Sequence, residues 1–183
     1  MSSNDPFDWR RAVSADYARF FPGRPYSTLR LVSSLATTPG LLACYLLRRQ
    51  QHAFLRGHSL RAKLLRSIGV SITGADFAPG CSIGAGLLMN HPVGVVFGQG
   101  AVVGSNCTFL HGVTLGERYG AGSEEHDYPI VGDDVVIGAG VKLLGAVSIG
   151  RGAVIGANAV VLADVPDNGL AVGVPARVIA RQA

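Results

Sequence analysis

From residue 131 the chain reads VGDDVV (131–136), IGAGVK (137–142), LLGAVS (143–148), IGRGAV (149–154), IGANAV (155–160) and VLADVP (161–166). An aliphatic residue opens each block, at Val131, Ile137, Leu143, Ile149, Ile155 and Val161, and glycine follows four of the six. The frame extends upstream through Phe97, Val103, Phe109 and Leu115, and before that through Phe77, Ile83 and Met89. It breaks twice: a slip of two residues around Val95-Val96, and a longer insertion between Leu115 and Val131. A period of six matches neither a helix nor an alternating strand. It suits a triangular solenoid, in which three short strands make a coil of about eighteen residues and one aliphatic side chain per side points inward. Each coil buries its apolar face only by stacking on the next, so the expected fold is mainly β, a three-sided solenoid of about five coils with one continuous core.

Working outward, the chain divides by composition. Residues 1–66 hold 11 of the 16 Lys and Arg, 3 of the 12 Asp and Glu, and 3 of the 25 glycines. That part therefore carries about +8 and residues 67–183 about −4. The basic surplus of the whole chain is thus local, and it does not argue for nucleic acid as a partner. Residues 8–20 and 41–68 carry apolar residues at three- and four-residue intervals, as helices do, with Gly57 placed to bend or end the later one. The expected division is an α-helical segment over residues 1–70 and a coil domain over 71–183. The arginine-rich helix faces are expected to be solvated surface, although contact with a partner or an anionic membrane surface stays open.

Leu31 to Leu47 is the least charged stretch. At 17 residues, interrupted by Pro39-Gly40, it reads as a pair of core-facing helices and not as a transmembrane span. Cys44, Cys81 and Cys107 form no CxxC pair, and no histidine stands at ligand spacing from them, so no metal site is expected. The N-terminal sequence lacks the pattern of a signal peptide, which points to a reducing, cytoplasmic location.

Several motifs now stand in order: Asp76, then Asn90-His91 fifteen residues later, GVTLG at 112–116, IGAG at 137–140, VVL at 160–162 and AVGVPARVI at 171–179. Over about residues 75–180 the chain resembles the hexapeptide-repeat acyltransferases, in their serine acetyltransferase-like branch. The resemblance implies a left-handed parallel β-helix, a homotrimer, and acetyl-CoA as acyl donor. It also implies roles. His91 matches the base that takes the proton of an acceptor hydroxyl, for which an imidazole is suited by its pKa near neutrality. Asp76 matches the carboxylate that orients this histidine. Gly116 matches the first glycine of a Leu-Gly-Gly corner whose backbone N–H groups hold the acyl oxyanion, although Glu117 replaces the second. Ala139 and Ala157 match corners along which pantetheine runs, Gly173, Pro175 and Arg177 match the closing turn at the adenine end, and Lys142 joins Arg177 as a candidate for the phosphates.

The acceptor side departs from that branch. Asn90 stands where its members have Asp, and Asp127-Tyr128-Pro129 where they have Arg-His-Pro, with His126 a candidate for the histidine of that loop. His111 stands where they usually have Gln. An acid in place of an arginine has the wrong sign for a carboxylate, and Asn90 removes a partner for an ammonium. The expected activity is therefore acetyl transfer to a hydroxyl, with L-serine by overall resemblance and a sugar or other polyol by local chemistry. A non-catalytic scaffold is the alternative of another class. The helical region is shorter than the family's, so a simple trimer is expected. The chain stops soon after Ile179, so the family's partner-docking tail is expected to be absent, which loosens the link to cysteine synthesis.

Overall fold

The protein is described by a computed structural model over residues 7–118 and 127–179. Four helices come first: α1 (Trp9–Phe20), α2 (Thr28–Thr37), α3 (Pro39–Leu55) and α4 (Ser59–Thr73). Asp8 caps α1 by accepting hydrogen bonds from the N–H groups of Arg10 and Arg11, and Ser27 caps α2 through Arg30 N–H. Pro39 sits at the start of α3, where its missing N–H costs nothing, and the chain bends by 118° between α2 and α3. Gly57, at φ +77°, makes the left-handed turn that separates α3 from α4. No single described helix is long and apolar enough to cross a membrane.

Short strands follow in rotation among three sheets from β1 to β13, and β14 and β15 then both join the third. The first sheet holds β1 (Asp76–Phe77), β4 (Val96–Phe97), β7 (Thr114–Gly116), β10 (Lys142–Leu144) and β13 (Val160–Val161). The second holds β2 (Ser82–Ile83), β5 (Val102–Val103), β8 (Ile130–Val131) and β11 (Ser148–Ile149). The third holds β3 (Leu88–Met89), β6 (Thr108–Phe109), β9 (Val136–Ile137), β12 (Val154–Ile155), β14 (Leu170–Gly173) and β15 (Ala176–Ile179). Every pairing is parallel except the closing hairpin of β14 with β15. In the first sheet Val96 pairs with Thr114 and Lys142 with Val160, each a step of eighteen residues and thus one coil. The two sequence interruptions appear as longer steps. Asp76 pairs with Val96, a step of twenty, and Thr114 with Lys142, a step of twenty-eight.

The hexad positions read from the sequence all face inward, from Phe77 and Met89 to Ile155 and Val161, and all are buried. Phe77, Phe97 and Phe109 stack with ring centroids 5.1 and 4.9 Å apart. Ala43, Cys44 and Leu47 of α3 belong to the same buried cluster, so the helices close the coil's interior as well as its end. At Gly40 a Cβ would fall 1.9 Å from Met89 O, so only glycine lets α3 lie this close to the first coil.

Two expectations need correction. Core-facing placement holds for α3, which buries Leu41, Ala43, Cys44 and Leu47, but α2 buries Leu31 alone among its residues and leaves Leu29 and Val32 exposed. Nor are the arginines uniformly solvated. Arg48 is fully buried and paired with buried Asp16, its Nε donating at 2.8 Å and its Nη2 at 3.0 Å. Its remaining donors reach Ile83 O (2.6 Å), Gly84 O (2.7 Å) and Gln51 Oε1 (2.9 Å). The cause is the open edge of the first coil. Backbone groups that point away from the second coil have no strand to meet, and an unpaired buried carbonyl is costly. Helix side chains take the place of the missing strand. Gln50 donates to Phe77 O at 2.7 Å, Asp16 accepts from Leu87 N–H at 2.8 Å, and Arg19 donates to Gly86 O at 3.1 Å.

Breaking a buried ion pair by removing one partner strands the other charge. Arg48→Ala should destabilise the protein by roughly 3–5 kcal/mol, read as a fall in thermal or denaturant midpoint. A loss below about 1 kcal/mol, the range of an exposed pair, would contradict this account of the capped edge.

Candidate functional site

Between the third sheet and the first, each coil turns a corner, and the residues singled out from the sequence gather there. Asn90 N–H donates to Phe109 O, Leu110 N–H to Ile137 O and Gly138 N–H to Ile155 O, so these corners are in register. The next residue in each coil is His91, His111, Ala139 and Ala157. Backbone bonds continue the stack, with Gly140 N–H donating to His111 O and Asn158 N–H to Ala139 O. Gly156 N–H donates to Ala171 O, which places Gly173 beside Ala157 on the closing hairpin. One edge of the solenoid thus presents two imidazoles at one end and three small residues beyond them.

His91 lies in the two-residue insertion, between β3 and β4. Its φ is +57°, and the other described non-glycine residues in that region, Asn106, Asp134, Asn158 and Asn168, are all Asn or Asp. A left-handed backbone in a histidine is uncommon, and here it turns an exposed side chain out of the coil at the break in the repeat. The His91 and His111 rings stand 6.4 Å apart, nearly edge to face.

Beside this corner runs the outward row of the first sheet: Asp76, Val96, Thr114, Lys142 and Val160. Asp76 and His91 therefore share an edge, but no hydrogen bond joins them. Both oxygens of Asp76 are held by Arg66 of α4, from Nε at 2.5 Å and Nη2 at 2.8 Å. Hydrogen bonding to Asp76 raises the Arg66 pKa, against the opposing effect of partial burial. Lys142 lies along the row, its ammonium donating to Gly112 O at 2.5 Å and Thr114 Oγ1 at 3.1 Å. This ties it to the corner that carries His111.

Not every candidate joins this edge. Gly116 ends β7 and so stands at the following corner, where its carbonyl accepts from Gly145 N–H. Arg177 lies on exposed β15, its guanidinium bonded to the carbonyl of Ala176, while Gly173 and Pro175 form the turn before it. His126 lies outside the described residues. Asp127 and Tyr128 are described, and the Tyr128 ring covers the Gly98–Gly100 corner, where a Cβ on Gly98 would fall 2.2 Å from Cε1. Sequence reasoning missed Arg66 and the Tyr128 clamp. Nothing in an arginine ten residues before an aspartate announces a contact that only the turn from α4 into β1 creates.

The described residues hold no group of three or more His, Cys, Asp or Glu arranged for a metal. Two larger hollows lie away from the His91–His111 edge. One of about 750 Å³ separates α1 from the second-sheet side of the first coil, and one of about 640 Å³ borders α4 at Lys63, Arg66 and Ser71. Their depth comes from helices leaning on the coil.

Comparison with known proteins gives a family match, a similar curated protein and two similar solved structures. The family described as "Bacterial transferase hexapeptide (six repeats)" matches residues 128–163. The serine acetyltransferase of Mycobacterium tuberculosis is 44% identical over 141 residues, which cover 77% of this chain and 61% of that protein. The chain thus spans less than two thirds of that relative. Soybean serine acetyltransferase complexed with serine superposes with a TM-score of 0.84 at 37% identity, covering 97% of this chain and 71% of that one. A serine acetyltransferase in complex with CoA gives 0.79 at 31% identity, covering 92% and 68%.

The three cysteines are free and buried. Burial pushes the Cys81 thiol up to about 12 and Cys107 to about 11, and raises Cys44 well above its ordinary value. None is poised as a nucleophile, because the thiolate is the reactive form. An aromatic disulfide reagent at pH 8 should label no thiol rapidly in the native protein and all three after unfolding. One fast, stoichiometric thiol in the native state would contradict this.

Proposed function

The chain belongs to the serine acetyltransferase family of hexapeptide-repeat transferases, and from that membership we propose that it moves acetyl from acetyl-CoA to the hydroxyl of L-serine. One observation carries the reading: His91, His111, Ala139, Ala157 and Gly173 share a single corner in successive coils. Proton-handling groups stand at one end of that edge. Beyond them the side chains are small enough for a slender pantetheine arm to lie close to the backbone.

In this reading His91 Nε2 or Nδ1 removes the acceptor proton while the hydroxyl oxygen attacks the thioester carbonyl. The tetrahedral intermediate then collapses, the C–S bond breaks, and the imidazolium returns its proton to the departing sulfur. No acyl-enzyme forms. A negative charge near His91 stabilises the transient imidazolium, which is the role we assign to Asp76. Lys142 adds positive charge at the His111–Gly112 corner through its grip on Gly112 O. Arg177, on the exposed hairpin, is assigned to the donor's phosphates, with Pro175 shaping the turn and Asn90 flanking the acceptor.

Gly116 stands on a different edge from His91, so one coil offers the base and the oxyanion donor to different sides. We infer that a second copy brings its Gly116-bearing corner to this edge, in a homotrimer of left-handed β-helices. The buried, unpaired cysteines suit a reducing, cytoplasmic setting. The helical segment serves as the cap of the catalytic coil, and a sugar hydroxyl is the second reading, favoured by Asn90 and His111 at the acceptor end.

Release of CoA thiol from acetyl-CoA, followed with serine, homoserine and a set of sugars, tests both readings. Serine should be the best acceptor by kcat/KM. His91→Ala should lower kcat by about 10²–10⁴-fold, the usual contribution of a general base, at unchanged melting temperature. Wild-type turnover in that variant would remove His91 from the mechanism, and a sugar outpacing serine would replace the acceptor.

A further inference from the structure

Arg66 belongs to no motif of the coil. It sits on α4, while Asp76 is the first residue of β1, and the two meet because the chain turns sharply at Gly74. The contact is a fork: Nε and Nη2 each take a different oxygen of one carboxylate. Both side chains are partly exposed, at 41% for Arg66 and 32% for Asp76. Such a pair contributes little to stability. What it does offer is orientation, since a bidentate guanidinium fixes the plane of the carboxylate, which one monodentate bond does not. Each carboxylate oxygen keeps a second lone pair, so the fork leaves Asp76 able to accept from an imidazole N–H.

We propose that Arg66 is a positioning residue of the acetyl-transfer site, setting the plane of Asp76 and offsetting its charge beside His91. The inference rests on the reading of Asp76 and His91 given above. It links the helical cap to the chemistry, because α4 supplies the arginine and the coil supplies the carboxylate. Among the described residues, the titratable groups nearest the pair are Lys63 on the preceding turn of α4 and the buried Cys81 thiol, which interacts electrostatically with both partners. Lys142 lies three strands along the outward row, and His111 meets His91 edge to face. With both oxygens held by the fork, the carboxylate cannot swing away from the edge that carries His91.

The test uses the full chain with acetyl-CoA and L-serine, and compares wild type, Arg66→Gln and Arg66→Lys. Arg66→Gln should lower kcat by about tenfold, since misplacing a catalytic group by an ångström costs up to 10²-fold. KM for acetyl-CoA should stay within about twofold, because the donor's corner is untouched. The acid limb of kcat/KM should move to higher pH, because losing the guanidinium leaves an uncompensated negative charge on this edge of the coil. Arg66→Lys keeps the charge and loses the fork, so it should give an intermediate kcat with the acid limb near that of wild type.

If Arg66→Gln retains both kcat and acid limb, the pair is an ordinary surface contact and the proposal falls. It falls equally if kcat drops only in step with melting temperature while the acid limb stays fixed. Should Arg66→Gln not fold, Arg66→Lys decides alone: reduced kcat at constant KM supports the role, and wild-type kcat overturns it. His91→Ala and Asp76→Asn separate the two layers. If both keep full activity, the reading beneath fails, whereas loss in both with a silent Arg66→Gln sinks only the role of Arg66.

Discussion

A parallel coil has a raw edge wherever it begins. The groups of its first turn that point away from the second have no strand to meet, and in a stack of short strands they recur on all three sides. Here the edge is met by side chains from helices α1 and α3. Arg48 spends all five of its N–H donors there, on Asp16, Gln51, Ile83 O and Gly84 O, and Gln50 and Arg19 serve the neighbouring carbonyls. Asp16 completes the arrangement by neutralising Arg48 and accepting from Leu87 N–H. Remove this cap and the first coil, which carries Asp76 and His91, becomes an exposed sheet edge.

The site inherits its order from the regularity above that cap. Because the regular coils repeat after eighteen residues, side chains far apart in sequence fall into columns, and in the proposed reaction one such column receives the slender acyl donor. Insertions then break the regularity where something must project. Two extra residues turn His91 outward at positive φ, and ten extra residues lengthen the step between Thr114 and Lys142. Tyr128, within that longer step, lies over Gly98 and Gly100, corners that no larger residue would permit.

Helical cap and coil are therefore one packed unit. Ala43, Cys44 and Leu47 of α3 fill the mouth of the coil, and α4 reaches along its flank to grip Asp76. The +8 of the first 66 residues acquires a meaning that charge counting did not supply. Arg48 and Arg19 are capping donors and Arg66 is a carboxylate clamp, so three of the eleven cationic side chains are internal parts.

By itself the sequence determined the repeat, its three-sided coil and the inward residues, because one aliphatic position every six residues admits few other solutions. It also determined both interruptions and, through them, the placing of His91, and it marked Pro39 and Gly57 as the points where helices part. It was silent on partners. Arg48 and Arg61 look alike as letters, yet one is sealed beneath the first coil and the other is open to solvent, because burial depends on which helix face lands on the coil. Likewise Asp76 was legible as a carboxylate near His91, while its clamp by Arg66 was not. Periodicity is a local property written along the chain. Pairing across the turn at Gly74 depends on how the helix and coil pack, and that packing was decided only in three dimensions.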